Sequence, residues 1–374
     1  MQSKLFIVVN NDTFFLSHRK DVGLADQSAG YDVTIVTRNN GKHDEIRRLG
    51  LRVLELKMNP TGMNPFQDFS TIWFLYRLFR NENPDIVHLV GPKLNLWGSL
   101  AARMAGIKNV VSAVSGLGVI FGGNGIGKII PYAFRFTNHI KNLRVIFQNE
   151  EDKATYLKYK IVTKDQCRYI KGSGINLQDF AYVPEPTEGR IKIMFTARMI
   201  KEKGIEVILD AARILYDDYK DKILFELCGG LTSSTRKNYV SADVLNSFGD
   251  PNYLTWLGMR DDVHELLNDS HIFIFPSYYN EGLPKSCIEA NAVGRPIITT
   301  QSVGCKDTVI DGYNGFLIPI RDANALAEKL RILIEDKELR QQMGRNARKY
   351  AEDNFSIEDV IKRHLDIYAE FKSL

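Results

Sequence analysis

Short apolar runs alternate with longer segments of mixed polarity along most of this chain. Each run ends at polar or turn-forming residues, which is typical of a strand buried on both faces of a parallel sheet. In the first half the pattern predicts strands at Leu5–Asn10, Asp32–Thr37, Arg52–Leu56, Ile86–Val90 and Val110–Ala113. The segments between them predict helices at His18–Ala29, Lys42–Leu49, Phe66–Asn83 and Leu94–Ala105. Gly30, Gly50 and Gly106 stand where helix C-caps are expected.

The second half repeats this alternation. Its apolar runs predict strands at Ile191–Ala197, Ile223–Cys228, Tyr253–Leu257, Ile272–Phe275 and Pro296–Thr300. Helices are predicted at Ile205–Asp217, Arg236–Phe248, Val263–Asn268, Pro284–Val293, Ala323–Asp336 and, at the end of the chain, Ser356–Lys372. Strands that alternate with helices predict an α/β fold, in which helices cover both faces of mostly parallel sheets.

Length and composition narrow the class of protein. A chain of 374 residues favours two domains, which we place at residues 1–170 and 171–355, with a last helix at 356–374. No run of 18 apolar residues occurs, and the N-terminus predicts a strand instead of a signal peptide. The four cysteines form no Cys-x-x-Cys pair, so we expect buried thiols in a reducing cytoplasm.

The charge is unevenly distributed. Residues 1–170 contain 23 Lys and Arg against 14 Asp and Glu, a balance of +9, whereas the remainder contains 26 against 31, a balance of −5. A basic N-terminal half indicates a polyanionic partner, which leaves nucleic acid, anionic lipid headgroups and a phosphate-bearing acceptor open. A solvated basic surface without a partner would give the same balance.

Two carboxylates flank a predicted strand-loop-helix unit. Glu281 lies in the loop after the strand that ends at Phe275, and Glu289 lies in the helix predicted to begin at Pro284. Ligands of parallel sheets bind at the carboxyl ends of strands, and a helix N-terminus there favours an anion such as phosphate. Carboxylates on both sides of such a phosphate can accept hydrogen bonds from sugar hydroxyls. Alternatively, Lys285 and Glu289, at positions i and i+4, form an ordinary helical ion pair.

Two cations follow another predicted strand. Arg198 and Lys203 lie in the loop between the strand that ends at Ala197 and the helix that begins at Ile205. Five residues apart across a turn, they can converge on one diphosphate, with Arg binding two oxygens and Lys supplying a point charge. A solvated basic loop is the alternative for a bare Arg-x4-Lys.

These two segments, Phe195–Gly204 and Pro276–Ala290, resemble signature elements of glycosyltransferase family 4, whose members are retaining enzymes. The resemblance implies the GT-B fold: two Rossmann-like, doubly wound α/β domains that face a cleft, with the last helix crossing back onto the first domain. It implies a donor diphosphate bound by Arg198, Lys203, Leu283 and Lys285, a donor sugar bound by Glu281 and Gly282, and a ribose bound by Glu289. Glu281, Arg198 and Lys203 are the implied catalytic residues.

Weaker similarities extend the comparison. The segment Trp256–Val263 resembles the one whose backbone binds the nucleotide base, which implies a base contact at Leu257. Relatives often carry an acceptor-side His near the reacting carbon, and the matching position here is Ser115, beside Gly116. His18 and His88 are candidates for a similar position, and we assign acceptor binding to His18, Ser115 and Gly116.

The glycine-rich segment Phe121–Lys128 is not a phosphate-binding loop of the Walker type. Gly122, Gly127 and Lys128 have the right spacing, but Ile129 stands where a Ser or Thr must bind Mg²⁺. The apolar residues around this segment favour contact with a lipid acceptor or a membrane surface. A poorly ordered loop whose apolar edges pack into the core is the alternative. No Asp-x-Asp occurs, which favours a metal-independent site that needs no cofactor.

These observations predict a retaining hexosyl- or N-acetylhexosaminyltransferase. We expect a nucleotide diphosphate sugar as donor, with UDP favoured, and a glycan or polyprenyl-diphosphate-linked saccharide as acceptor. We expect the protein in the cytoplasm, peripheral on the inner face of the cytoplasmic membrane, and without a nucleic-acid partner. A sugar-nucleotide hydrolase or epimerase on the same fold is the closest alternative. A dinucleotide oxidoreductase is disfavoured because no Gly-x-Gly-x-x-Gly follows the first strand.

Overall fold

The computed structural model describes residues 2–58, 65–117, 128–232 and 238–373. The chain divides into two compact units. The first contains Met1–Gly174 together with Ile357–Leu374, and the second contains Ile175–Ser356. The end of the chain therefore belongs to the same unit as its beginning.

A parallel sheet forms the centre of the first unit. Among the described residues it has seven strands: β1 Lys4–Val9, β2 Asp32–Thr37, β3 Arg52–Glu55, β4 Ile86–Val90, β5 Asn109–Val114, β6 Asn142–Phe147 and β7 Cys167–Tyr169. Their order is β3-β2-β1-β4-β5-β6-β7, and every neighbouring pair is parallel. The order reverses between β1 and β4, so the sheet is doubly wound, as predicted.

Helices cover both faces of this sheet. They are α1 Asp12–His18, α2 Lys20–Ser28, α3 His43–Arg48, α4 Pro65–Glu82, α5 Pro92–Ala105, α6 Ile130–Thr137, α7 Glu150–Lys158 and, from the end of the chain, α14 Ile357–Glu370. One apolar core contains residues of α4, α5, α6 and α7, and another contains residues of α1, α2, α3 and α14. The two cores lie on opposite faces of the sheet because successive strand residues point in opposite directions.

Helix α14 is attached to the first unit by polar contacts as well as by its apolar face. The hydroxyl of Tyr368 lies 2.6 Å from Nδ1 of His88, which is fully buried in β4. Glu370 forms ion pairs with Arg144 and Arg168, and the hydrogen bond from Arg168 holds the pKa of the Glu370 carboxyl below its ordinary value. These contacts fix the helix in one register against the sheet.

The second unit has the same architecture. Its strands are β8 Ile191–Thr196, β9 Ile223–Cys228, β10 Leu254–Gly258, β11 Ile272–Phe275, β12 Ile297–Thr300 and β13 Gly315–Ile318. In the described part of the unit they form one parallel sheet in the order β10-β9-β8-β11-β12-β13. Its helices are α8 Ile205–Tyr219, α9 Ala242–Asn246, α10 Val263–Asn268, α11 Lys285–Ala292, α12 Ala323–Glu335 and α13 Lys337–Asn354.

A buried ion pair joins α13 to the loop at residues 183–189. Arg340 donates to both carboxylate oxygens of Glu185, at 2.7 and 3.1 Å, and the two side chains are 4% and 6% exposed. A third donor of Arg340 binds the carbonyl of Leu333 at 2.6 Å. The guanidinium is therefore paired within a site from which water is excluded.

Several predicted elements differ from the structure. The helix predicted at His18–Ala29 is α2, which begins two residues later at Lys20, because the chain breaks at Arg19 (φ −134°, ψ −3°) between α1 and α2. The helix predicted at Arg236–Phe248 begins outside the described residues. From Asn238 onward its helical part is α9, whose N-cap Ser241 accepts from the N–H of Val244. Elements that the pattern did not predict are β6, β7, β13, α1, α6, α7 and α13.

Candidate functional site

The two predicted loops of the second unit lie at one edge of its sheet. Arg198 and Lys203 follow β8, and Glu281 follows β11, which pairs directly with β8 in parallel. The strand order reverses between these two strands, because β9 lies on one side of β8 and β11 on the other. Such a reversal opens a crevice at the carboxyl ends of the strands.

Lys203 and Glu281 form an ion pair in this crevice. Nζ of Lys203 donates to Oε1 of Glu281, and the two side chains are only 10% and 14% exposed. The ammonium also lies 4.9 Å from the centre of the Phe275 ring and 5.8 Å from that of Tyr279. Aromatic faces attract a cation at these distances, so the position of the charge is fixed from several sides.

The loop that carries Glu281 is held by hydroxyl groups. Oγ of Ser277 lies 3.2 Å from Oε1 of Glu281 and 3.1 Å from the carbonyl oxygen of Glu202, the residue before Lys203. The carbonyl of Ser277 accepts hydrogen bonds from the hydroxyls of Thr300 and Ser302. Thr300 is the last residue of β12, and Ser302 lies two residues beyond it. Ser277 and Thr300 are fully buried. These supports are not predictable from the sequence, because contacts between hydroxyl groups and the backbone follow no periodic pattern along the chain.

Two glycines allow the loops to approach each other closely. A Cβ on Gly204 would lie 2.3 Å from the carbonyl oxygen of Pro276, and one on Gly304 would lie 2.0 Å from the carbonyl oxygen of Gly282. Both glycines have φ values in the left-handed region, +84° and +78°. The backbone on both sides of Glu281 is therefore packed against positions that accept no side chain.

A Gly304→Ala substitution is expected to reduce transfer activity about 10²-fold, since it must displace Gly282 and with it the neighbouring Glu281. The measurement is kcat/KM for the donor in the purified variant. Gly312→Ala is the matched control, because Gly312 has nearly the same φ, +75°, but open space around its Cβ position. Equal losses in the two variants would mean that backbone strain, and not displacement of the loop, causes the effect.

The other residues predicted to bind the donor differ in how far they are buried. Arg198 is exposed, and no hydrogen bond or ion pair of its side chain is found with residues in the described ranges. Gly282 and Leu283 are buried immediately before α11, and Lys285 is its first residue. The prediction that Pro284 begins the helix is wrong by one residue, because its ψ of 117° makes it the N-cap.

Glu289 lies on α11, four residues after Lys285. Its Oε1 is 3.9 Å from Nζ of Lys285, which is an ion-pair distance but not a hydrogen bond. Burial raises the pKa of the Glu289 carboxyl, and the Lys285 ammonium acts in the opposite direction. Both interpretations of Glu289 therefore fit this geometry: the carboxylate lies near Lys285, and it can still accept a hydrogen bond from a ligand.

Leu257 occupies an irregular position in β10. Trp256 pairs with Leu227 and Gly258 pairs with Cys228, so Leu257 is left out of the register. A bulge of this kind frees the main-chain groups of the extra residue from the ladder. Main-chain groups are what the predicted base contact requires.

The predicted acceptor residues belong to the first unit. His18 is the last residue of α1, where its ring stacks on Phe14 at 4.4 Å and its Nδ1 lies 2.7 Å from Oγ of Ser17. Ser115 and Gly116 follow β5, and Gly116 has φ +94°. The glycine-rich segment that begins at Phe121 lies, up to residue 127, outside the described residues. His88 is buried against α14, so it is not available to a ligand at the sheet edge.

Neither a cluster of metal ligands nor a membrane-spanning helix is present among the described residues. No group of three or more His, Cys, Asp or Glu is arranged to hold a metal ion within the described part of the chain. Over the same residues, no helix is long and apolar enough to cross a bilayer.

Comparison with known proteins identifies the family. The family described as "Glycosyl transferases group 1" matches residues 180–350, and the family described as "Glycosyl transferase 4-like" matches residues 4–149. The chain is a group 1 glycosyltransferase. The crevice residues of this glycosyltransferase, from Arg198 to Glu289, all lie within the first of the two matches.

Curated relatives of this glycosyltransferase align over nearly the whole chain. It is 28% identical to the N,N'-diacetylbacillosaminyl-diphospho-undecaprenol alpha-1,3-N-acetylgalactosaminyltransferase of Campylobacter jejuni, with 90% of each chain covered. It is 24% identical to the UDP-Gal:alpha-D-GlcNAc-diphosphoundecaprenol alpha-1,3-galactosyltransferase of Escherichia coli, with 91% of this chain and 89% of that one covered.

Solved structures are similar over the same extent. A glycosyltransferase from Rickettsia africae superimposes with a TM-score of 0.79 at 20% identity, covering 99% of this chain and 98% of that chain. HepE of Anabaena, crystallised with UDP-glucose, gives a TM-score of 0.76 at 14% identity, covering 99% of this chain and all of that one. The predicted fold class, two doubly wound α/β units of the GT-B type, is confirmed.

Proposed function

We propose that this glycosyltransferase moves a hexose or N-acetylhexosamine from a UDP-sugar to a polyprenyl-diphosphate-linked saccharide, with retention of configuration. The observation that carries the proposal is the Lys203–Glu281 pair at the point where the strand order of the second unit reverses. The two relatives named above, an N-acetylgalactosaminyltransferase and a galactosyltransferase of diphospho-undecaprenol saccharides with alpha linkage, support the acceptor class and the stereochemistry.

In the proposed mechanism the enzyme stabilises the departing diphosphate. Lys203 supplies a positive charge that is already in place before the donor binds, and exposed Arg198 closes on the diphosphate as a bidentate donor. The N-terminal turn of α11, with Leu283 and Lys285, presents N–H groups and the positive end of a helix dipole to the same anion. Charge that develops on the leaving group therefore meets fixed donors, which is a large source of catalysis.

The remaining donor residues orient the substrate. Glu281, held by Lys203 and Ser277, accepts from hydroxyls of the donor sugar, together with the adjacent backbone of Gly282. Glu289 accepts from the ribose hydroxyls, a role favoured by the half-buried position of its carboxylate. Backbone groups at the Leu257 bulge bind the base. No step of this mechanism uses a metal ion, and we propose that the enzyme requires none.

On the acceptor side, we propose that His18, Ser115 and Gly116 of the first unit bind the saccharide. The positive balance of residues 1–170 favours a diphosphate-bearing acceptor. Because such an acceptor is anchored in lipid, we place the enzyme in the cytoplasm, at the inner face of the cytoplasmic membrane.

Incubation of the purified enzyme with UDP-sugars, with and without a polyprenyl-diphosphate-linked saccharide, tests the proposal. We expect UDP release that depends on the acceptor, an alpha-linked product by NMR, and the same rate in the presence of EDTA. Release of UDP at equal rates without acceptor would support a hydrolase instead, and conversion of one UDP-sugar into another would support an epimerase.

A further inference from the structure

The first unit contains a second site, on the opposite edge of its sheet from Ser115 and Gly116. A cavity of about 820 Å³ lies at the amino ends of β6 and β7, beside the end of α6. It is lined by Arg135, Asn138, His139, Ile140, Lys141, Lys160, Ile161, Val162, Thr163 and Gln166. The lining contains three Lys or Arg and one His but no carboxylate, so the cavity favours an anion.

A buried amide group in this cavity has no partner. Asn138 is 3% exposed, yet neither its Oδ1 nor its Nδ2 is hydrogen-bonded to a described residue. Buried polar groups without partners are rare because each one costs free energy. A ligand that both accepts and donates hydrogen bonds would satisfy this amide, as the phosphate oxygen and the hydroxyl of a glycerol-phosphate group would.

One of the two chain segments that line the cavity lies in a stretch without acidic residues. No Asp or Glu occurs from Ile86 to Asn149, a stretch that contains seven Lys or Arg. Asp165 is near the cavity in sequence, but it does not line it. The cations of the lining are therefore not neutralised by carboxylates of their own walls.

Exposed aromatic residues adjoin the cavity. A smaller cavity of about 390 Å³ shares Arg135 and His139 with it and is also lined by Arg103, Tyr132 and Phe136. Tyr132 and Phe136 are 66% and 61% exposed, and the guanidinium of Arg103 lies 4.6 Å from the centre of the Phe136 ring. Aromatic side chains beside cations are typical of surfaces that sit in the headgroup region of a membrane.

Exposed apolar side chains also occur on the neighbouring helices of the same face of the unit. Helices α4, α5 and α6 share one apolar core on one side of the sheet. Their outer surfaces expose further large apolar side chains, namely Phe66, Phe69, Trp73 and Met104, with Ile129 directly before α6. An apolar, acid-poor outer face favours a lipid surface over nucleic acid, which would bind the cations without needing these apolar groups.

We propose that the cavity around Asn138 binds the phosphate headgroup of an anionic phospholipid, while Tyr132 and Phe136 enter the membrane interface. This inference deepens the membrane location proposed above and assigns it to a defined surface. Arg135, Lys141 and Lys160 neutralise the phosphate, and the Asn138 amide donates to a phosphate oxygen and accepts from a headgroup hydroxyl. The site is separate from the residues proposed to bind donor and acceptor.

Co-sedimentation with vesicles tests the proposal in the absence of any sugar donor. The unchanged protein is expected to bind vesicles of phosphatidylcholine with phosphatidylglycerol, to bind pure phosphatidylcholine vesicles weakly, and to dissociate at high salt. The Arg135→Gln/Lys141→Gln variant should bind the anionic vesicles about 30-fold more weakly, since each cation near an anionic surface contributes about fivefold. The matched control is Lys42→Gln/Arg47→Gln, which removes the same charges from exposed sites on α3 and at its N-cap, on the other face.

Asn138→Leu provides an independent variant, because it removes the unpartnered amide without changing the charge. It is expected to keep or raise Tm, and to lower the preference for phosphatidylglycerol over phosphatidylserine vesicles. The proposal would be overturned if the protein bound neutral vesicles as tightly as anionic ones, or if the cavity and control double variants lost equal affinity. It would also be overturned if inorganic phosphate competed fully with the vesicles, or if the protein bound RNA more tightly than anionic vesicles. Transfer to a short-chain, water-soluble acceptor, measured in parallel, should be unchanged in the cavity variants, so failure of either proposal is recognised separately.

Discussion

Replacing Lys203 with alanine is expected to lower kcat about 10²–10³-fold, the loss that follows removal of one preorganised donor from a site where negative charge develops. The ammonium of Lys203 is nearly buried, held by Glu281 and faced by two aromatic rings, so no solvent cation reproduces its position. The measurement is the initial rate of acceptor-dependent UDP release at saturating donor. A thermal melt of the variant checks that the protein remains folded, because the substitution leaves Glu281 without its cation.

Lys201→Ala is the control for this experiment. Lys201 lies two residues away in the same 3-10 turn, but its side chain is 49% exposed and its ion pair with Glu206 spans 3.7 Å. We expect kcat of this variant to remain close to that of the unchanged enzyme. A folded Lys203→Ala protein with the same kcat as the control would refute the proposed role of the lysine.

The Arg340→Ala substitution is expected to lower the free energy of unfolding of the second unit by about 3–5 kcal/mol, because it leaves the Glu185 carboxylate buried without its partner. The lost contacts include two bonds to that carboxylate and one to the Leu333 carbonyl. Urea denaturation, followed by tryptophan fluorescence, measures the difference.

Arg345→Ala is the matched control on the same helix. Arg345 is exposed, and its side chain donates a hydrogen bond to Gln342, so the expected change is within about 0.5 kcal/mol. The Arg340→Met/Glu185→Leu double variant should recover much of the stability lost by Arg340→Ala, since it removes both charges together. Equal effects of the two alanine substitutions would show that the buried pair does not stabilise the unit.

The sequence placed the crevice residues at the right edge of the sheet because that placement follows from chain order alone. Arg198 and Glu281 each follow a buried apolar run, and parallel strands end at the same edge. The contact between Lys203 and Glu281 is not predictable in this way, since the family resemblance assigns the two side chains to different parts of the donor. It depends on the close approach at Gly204 and Gly304, which only the packed backbone reveals.

Helix α13 shows where the hydrophobic pattern is a weak guide. Its 18 residues are mostly charged or polar, and its buried face consists chiefly of Met343, Gly344, Ala347 and Ala351. Such small residues produce little contrast with their neighbours, although Asp336, which caps the helix by accepting from the N–H of Leu339, was a usable signal. The pattern missed α1, and the break at Arg19 that separates it from α2, for a different reason. Arg19 is buried, and its conformation depends on packing and not on local propensity.

The return of α14 to the first unit has a consequence for the order of events during translation. One face of the β1–β7 sheet is completed by a helix that begins at Ile357, so the ribosome must make the whole second unit before that face is covered. The intervening segment, Ile175–Ser356, contains its own core and can fold before α14 packs against the first sheet. Until then the nascent polypeptide lacks the contacts that Tyr368 makes with His88 and Tyr31, which makes chaperone engagement at this stage an expected part of its biogenesis.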